Sequence, residues 1–223
     1  MSDPKTVTIY GRLSFPTWTA QEAYDYSQKG DFPAKSVADA APNFQLLLEQ
    51  PQLDKLMAKI KDEFFPYVID REKNDPQKID SLNEKEIAKL LADIDGDHAD
   101  QSFNTPFKEI KEKTQVLAPE AVASIKIIGS KGVDMELKAI VNDEAELQVP
   151  DPDLLKFPVL KPIHQTVHQM YGGCYVAVTL NMYAYRNGKN PGFSAGASVA
   201  VFKADGDRFG GGLSVDEDAI FMD

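Results

Sequence analysis

The chain holds a single cysteine, Cys174, among its 223 residues. That excludes an internal disulfide and any cysteine-rich zinc module. Lying on the inward side of an extended stretch, the thiol reads as a small core residue. No run of about eighteen apolar residues occurs, and the opening MSDPKTVTIY lacks a basic region followed by an apolar one. The chain is therefore expected to be neither secreted nor membrane-spanning. There is no phosphate-binding loop, no dinucleotide fingerprint and no Gly-x-Ser-x-Gly elbow. Gly210-Gly211-Gly212 has no helix behind it and reads as a flexible joint. Histidine is scarce, with three in all. His164 and His168 have the spacing of a zinc-binding helix, but Gln165 stands where the catalytic Glu would be and His98 is distant, so a polar turn is the better reading. Asp93-Ile94-Asp95-Gly96-Asp97 fails the calcium-loop frame: Gly96 is fourth rather than sixth, and Asn104 occupies the position of the twelfth-place Glu. With no nucleophile set beside a base, no enzyme is expected, and no cofactor or metal.

Charge is abundant but uneven. The net charge is -11, and residues 204 to 223 carry -5 of it, one arginine against six acids. By contrast, Leu154 to Lys203 contain no Asp or Glu, while Lys156, Lys161, Arg186, Lys189 and Lys203 supply five cations. A globular part that is neutral near its hairpins and an acidic tail behind them are best treated as two electrostatic objects.

Within the acid-free block, Tyr171 to Lys203 organises the rest. Read with period two, Val176, Val178, Leu180, Met182 and Ala184 share one face. Tyr175, Thr179, Asn181, Tyr183 and Tyr185, with Ala177 among them, share the other. Asn187-Gly188 and Asn190-Pro191-Gly192 are turn chemistry, and Phe193 to Phe202 is extended again, so a hairpin with a loop of about five residues is expected. Arg186 and Lys189 fall in that loop. Tyrosines interleaved with cations on an exposed strand suit single-stranded nucleic acid, with bases stacking on rings and the backbone following positive charge. The same tyrosines would equally serve as β-formers packed against cross-strand neighbours or in an interface.

TVTIYGRLSF, residues 6 to 15, repeats the theme: Val7, Ile9, Leu13 and Phe15 point inward, and Thr8, Tyr10, Arg12 and Ser14 outward. Gly11 marks a bulge or sharp coil. Residues 16 to 42 lack periodicity and read as a long loop. Its Trp18, Tyr24 and Tyr26 are either further stacking groups or aromatics that pin the loop to the body. Asn43 to Gln50 reads as a second strand. Pro51 then opens a helix with Leu53, Leu56, Met57, Ile60 and Phe64 on one face. Asn83 and Glu86 form a capping box ahead of Ile87, Leu90, Leu91 and Ile94, a helix ending near Asp93. Residues 51 to about 115 are taken as a helical, acidic insertion. Ser124 to Ile128 and Val133 to Val141, joined by Gly129-Ser130-Lys131-Gly132, are strands, and 142 to 170 is irregular.

Five or six strands with one helical insertion predict a mainly β (α+β) protein, an OB-fold-like five-stranded barrel spanning residues 1 to 205. A flexible tail, 206 to 223, follows. In the tail Asp216-Glu217-Asp218 precedes Ile220 and Phe221, which is the form of a docking peptide: charge steers it and an aromatic fills a pocket.

The stretch YGGCY, the downstream NMYAYRNGKNPGFSAG, the Phe-Gly-Gly-Gly joint and the tail together resemble the single-stranded-DNA-binding proteins of tailed bacteriophages, a family long listed as of unknown function. Ala195-Gly196-Ala197-Ser198-Val199 and Phe209 to Gly212 are more loosely similar to the counterpart in T7-type phages, and DEDAIF to the tail tip of bacterial single-stranded-DNA-binding proteins. The resemblance implies non-enzymatic binding of single-stranded DNA in the cytoplasm of a bacterial host, during phage replication, recombination and repair. It also implies recruitment of phage or host replication proteins by the tail residues Asp216, Glu217, Asp218, Ile220 and Phe221. On the body, Tyr10, Tyr183 and Tyr185 are expected to stack on bases. Arg12, Lys138, Arg186, Lys189 and Lys203 are expected to meet phosphates, and Trp18, Tyr175 and Phe193 to complete the surface. The alternative is an assembly module whose tyrosine face joins a homodimer.

Overall fold

The computed structural model describes residues 3–74, 82–95, 105–140, 160–162, 170–187 and 190–209. The strands are β1 (Thr6–Thr17), β2 (Asn43–Leu48), β3 (Phe107–Lys108), β4 (Ala123–Ile128), β5 (Glu136–Ile140), β6 (Leu160–Pro162), β7 (Tyr175–Asn187), β8 (Asn190–Gly196) and β9 (Val199–Ala204). The helices are α1 (Ala20–Ser27), α2 (Gln50–Lys59), α3 (Phe65–Asn74), α4 (Glu84–Asp95) and α5 (Glu112–Leu117), and a π-turn, Ile60–Phe64, joins α2 to α3. The protein is thus α+β, built on one mixed sheet. No described helix is long and apolar enough to cross a membrane.

The sheet runs β1-β2-β4-β8-β7-β9-β5-β6, with β3 beside β4, and β1 pairs a second time with β7. That extra pairing closes β1, β2, β4, β8 and β7 into a ring of five strands. Four of its five contacts are antiparallel; β4 and β8 run parallel. β9, β5 and β6 extend from the ring as a wing. The period-two pattern does the sorting. Val176, Val178, Leu180, Met182 and Ala184 are all buried, together with Ile9 and Leu13 of β1 and Leu46 of β2. The long apolar runs of α2, α3 and α4 close over the same core. The π-turn re-phases the helix so that Ile60, Phe64 and Phe65 all face inward. There Phe64 and Phe65 meet Phe193 of β8 at centroid separations of 6.0 and 5.5 Å.

Several sequence readings change. The supposed loop 16–42 contains α1, whose Thr19 hydroxyl accepts the Glu22 N–H while the Glu22 carboxylate accepts the Thr19 N–H. The Thr19-x-x-Glu22 signal was present, but only one turn of apolar spacing follows it. The hairpin connection is tighter than five residues, because Asn187 already pairs with Asn190. Phe193 to Phe202 is two strands, broken at Ala197–Ser198, and β3 and α5 lie within what read as insertion.

Gly11 is a point of close approach: a Cβ there would lie 2.3 Å from the Leu47 carbonyl oxygen. Gly11→Ala is expected to push β2 off β1 and cost about 1–3 kcal/mol. At Gly30 the nearest atom to a Cβ is 3.6 Å away, so Gly30→Ala should leave the urea-unfolding midpoint close to wild type.

Candidate nucleic-acid interface

The outward face of β1 continues across β7, β9 and β5. Register sets Tyr10 beside Ala177, Ala177 beside Val201, and Val201 beside Lys138. One row along, Thr8 and Thr179 share a hydrogen bond of 2.8 Å between their hydroxyls. Over this face lies an open groove of about 990 Å³. Its floor is small and apolar (Ala177, Val199, Val201). Its walls carry Thr6, Thr8, Thr179 and Asn181 with three lysines, Lys5, Lys55 and Lys138. Among the described residues lining it, Asp3 is the only acid. Lys55 arrives from α2, which is docked by Gln52: its Oε1 accepts the Tyr10 N–H at 3.1 Å, where β1 has no β2 partner.

The predicted residues divide into three groups. Tyr10 and Tyr183 stand on the outward face, 40% and 43% exposed. Lys138 is at the groove wall, its ammonium 3.1 Å from the Glu136 carboxylate, a surface pair that a phosphate would readily exchange with. Tyr185 lies flat over Gly192, whose added Cβ would sit 2.5 Å from the ring. Its ring centroid is 6.5 Å from that of Tyr183, and burial raises its phenol pKa. Lys203 is half-buried on β9, and loss of hydration lowers its ammonium pKa.

A second group was expected at the interface and is held elsewhere. Arg12 is buried. Its guanidinium donates to the carbonyls of Gly173, Leu117 and Asp207 at 3.2, 2.9 and 3.0 Å and to Glu120 Oε1 at 3.0 Å. Tyr175 and Phe209 flank it at 5.7 and 4.6 Å from their ring centroids. Arg12 and Tyr175 therefore form a clamp that fastens residues 205–209 to the base of β7. Tyr171 completes it: its hydroxyl donates to Asp205 at 2.8 Å, and Arg208 covers its ring at 4.1 Å. Glycine is required here, because Gly173 has φ +112° and a Cβ on it would lie 1.9 Å from the Asp207 carbonyl oxygen. Thus YGGCY is the seat of the chain's last described residues, and the fold extends past residue 205 to Phe209.

Arg186 is likewise occupied, gripping Glu86 through Nε at 3.0 Å and Nη2 at 2.8 Å. Phe193 is 1% exposed and has no face to offer a base. Trp18 packs on Phe44 at 5.3 Å and donates to the Met170 carbonyl at 3.2 Å, pinning its segment to the core. Lys189, the histidines 98, 164 and 168, and the tail residues Asp216, Glu217, Asp218, Ile220 and Phe221 lie outside the described residues. Sequence reasoning missed Lys5, Lys55 and the Thr8–Thr179 pair. The threonines share the parity of Tyr10 and were legible, whereas Lys55 sits on a helix whose docking site nothing local announces.

Glu86 joins two functions, accepting the Asn83 N–H at 2.8 Å as a helix cap and holding Arg186. The Arg186 hydrogen bonds outweigh burial and keep its carboxyl below the usual 4.5. A depressed folded-state pKa gives stability that is present above the unfolded value and lost as pH falls through the folded one. Urea unfolding is therefore expected to show a loss of stability below pH 4.5, and Glu86→Gln should flatten that part of the profile while lowering stability at pH 7.

No curated protein matches the chain. Among solved structures, the single-stranded DNA-binding protein from bacteriophage Enc34 has a similar fold, with TM-score 0.50 and 12% identity over 97% of this chain and 90% of that one. The same phage protein in complex with ssDNA matches with TM-score 0.49 and 10% identity over 92% and 90%. The single-stranded DNA-binding protein encoded by bacteriophage T7 matches with TM-score 0.44 and 9% identity over 94% and 97%. The family described as Enterobacter phage Enc34, ssDNA-binding protein, matches residues 31–221, and this chain belongs to it.

Proposed function

We propose that this protein binds single-stranded DNA without strong sequence preference, along the groove over β1, β7, β9 and β5. The observation that carries the reading is the groove's composition: three lysines and exposed hydroxyls around an apolar floor, with Tyr10 and Tyr183 on the same outward face. Lysines follow a flexible phosphate backbone without reading sequence, and rings accept any base. The five-stranded ring, with its parallel β4–β8 contact, is then an OB-type barrel carrying a helical insertion between β2 and β4. It binds its strand without chemistry on it. The setting is the cytoplasm of a bacterial host, in phage DNA replication, recombination and repair, with strand protection as the immediate effect.

The acidic tail has a place in this scheme. The last described residue before it, Phe209, is seated on Arg12 of β1. Asp216 to Asp218 lie seven to nine residues beyond it, a reach of about 23–30 Å when extended. The tail competes with DNA for the lysines, and DNA binding releases Ile220 and Phe221 to recruit replication proteins.

Titration with oligothymidylate and with duplex DNA at two salt concentrations tests the core claim. Preference for the single strand, with affinity falling as salt rises, is expected; equal affinity for duplex or salt-independent binding overturns it. Replacing Lys5, Lys55 and Lys138 with Gln should reduce the log–log salt slope by about 2. Tyr10→Ala and Tyr183→Ala should each cost about 1–3 kcal/mol of binding. If Tyr183→Ala instead dissociates an oligomer while DNA affinity stays intact, the tyrosine face is a subunit interface. Deleting residues 210–223 should tighten DNA binding at low salt and leave it unchanged at high salt; equal affinity at both removes the tail from the groove.

A further inference from the structure

β1 departs from its own pattern at one place. Phe15 has φ +47°, a left-handed value that a bulky side chain holds only under strain. Strand parity would send its ring inward with Leu13. The register irregularity between Ser14 and Thr17 turns it out instead, leaving it 64% exposed. Neither the strain nor the exposure helps the fold, and together they leave an aromatic facing water.

The surface next to it is polar and cationic. Register sets Ser14 opposite Gln45, Gln45 opposite Lys126, and Lys108 of β3 opposite Ser124 in the adjoining row. The Ser14 hydroxyl is buried with no hydrogen-bond partner. Gln45 Oε1 accepts from Ser124 at 3.3 Å. Burial, and then the nearby Lys126, pull the Lys108 ammonium down to about 8; two cations held together on one face favour an anion between them. Ser14 lies four residues along β1 from Tyr10, about 13 Å, with Arg12 and Phe209 between.

Resting on the reading that this chain binds single-stranded DNA, we propose that the kinked end of β1 is a separate nucleotide subsite. Phe15 stacks on a base there, Lys108 and Lys126 hold the adjoining phosphate, and Gln45 contacts the base edge. A strand occupying both this subsite and the groove crosses the point where the tail leaves the body.

The test uses the full chain and an oligothymidylate of about 16 nucleotides, the upper end of single-domain footprints, at a pH well below 8, where Lys108 is charged. Phe15→Gly removes the ring and the backbone strain together. It is expected to leave Tm unchanged or raised while weakening binding roughly 5- to 150-fold, and Phe15→Ala should weaken binding likewise. Lys108→Gln with Lys126→Gln should reduce the salt slope by about 1.4. Wild-type affinity and slope in all these variants overturn the subsite and leave the groove standing. A Tm loss in Phe15→Gly with unchanged DNA affinity assigns the ring to folding and also overturns it. Failure of the wild-type protein to bind the oligonucleotide overturns both readings.

Discussion

The thirteen residues of β7 have three strands to satisfy with only two edges of backbone hydrogen bonds. One edge serves β1 along Tyr175–Asn181. The other serves β9 near Tyr175 and β8 from Asn181 onward. This sharing closes the ring and also opens it: the strand that completes the five-membered circuit leads straight into the β9-β5-β6 wing. The inward side chains of β7 need the ring's core. Its outward side chains are left on a wide face with α2 at one margin, and that is where the groove forms.

Electrostatics follows from which charges the fold uses up. The chain is acidic as a whole, yet several acids near the sheet are already engaged. Glu120 is drawn upward by burial, but its own backbone N–H and the Arg12 guanidinium pull harder and leave it below the ordinary range. Glu86 is spent on a helix cap and on Arg186. Arg12 and Arg186 are spent with them: Arg12 is satisfied largely by carbonyls, which makes a planar five-donor group a fastener rather than a contact for DNA. Lysines, with one ammonium on a flexible stem, remain at the groove. The division of labour between the two cations therefore decides which part of the surface is available to a strand.

Much of the fold was legible. Alternation in β1 and β7 identified those strands and their inward faces, extended stretches marked β2 and β4, and the Asn83–Glu86 box located α4. The failures have separate causes. Arg12 was read correctly as outward, but the outside of a strand is not the outside of a protein. α5 and residues 205–209, distant in sequence, cover it. Arg186 was lost to a glutamate that local reading had already assigned to a cap. Phe193 was a lapse of parity, since it sits opposite the inward Ala184 and belongs to the core by the same rule that placed Met182. Phe15 lay beyond any period-two reading, because a single left-handed residue reverses the face on which its side chain emerges.

The lone thiol has a use of a different kind. Cys174 is sealed at the foot of β7, and burial pushes its pKa up to about 11. A disulfide reagent in solution meets neither an accessible sulfur nor a thiolate. Modification must wait for the YGGCY seat to come apart, so the rate at which this sulfur reacts is a built-in clock for local opening at the root of the strand.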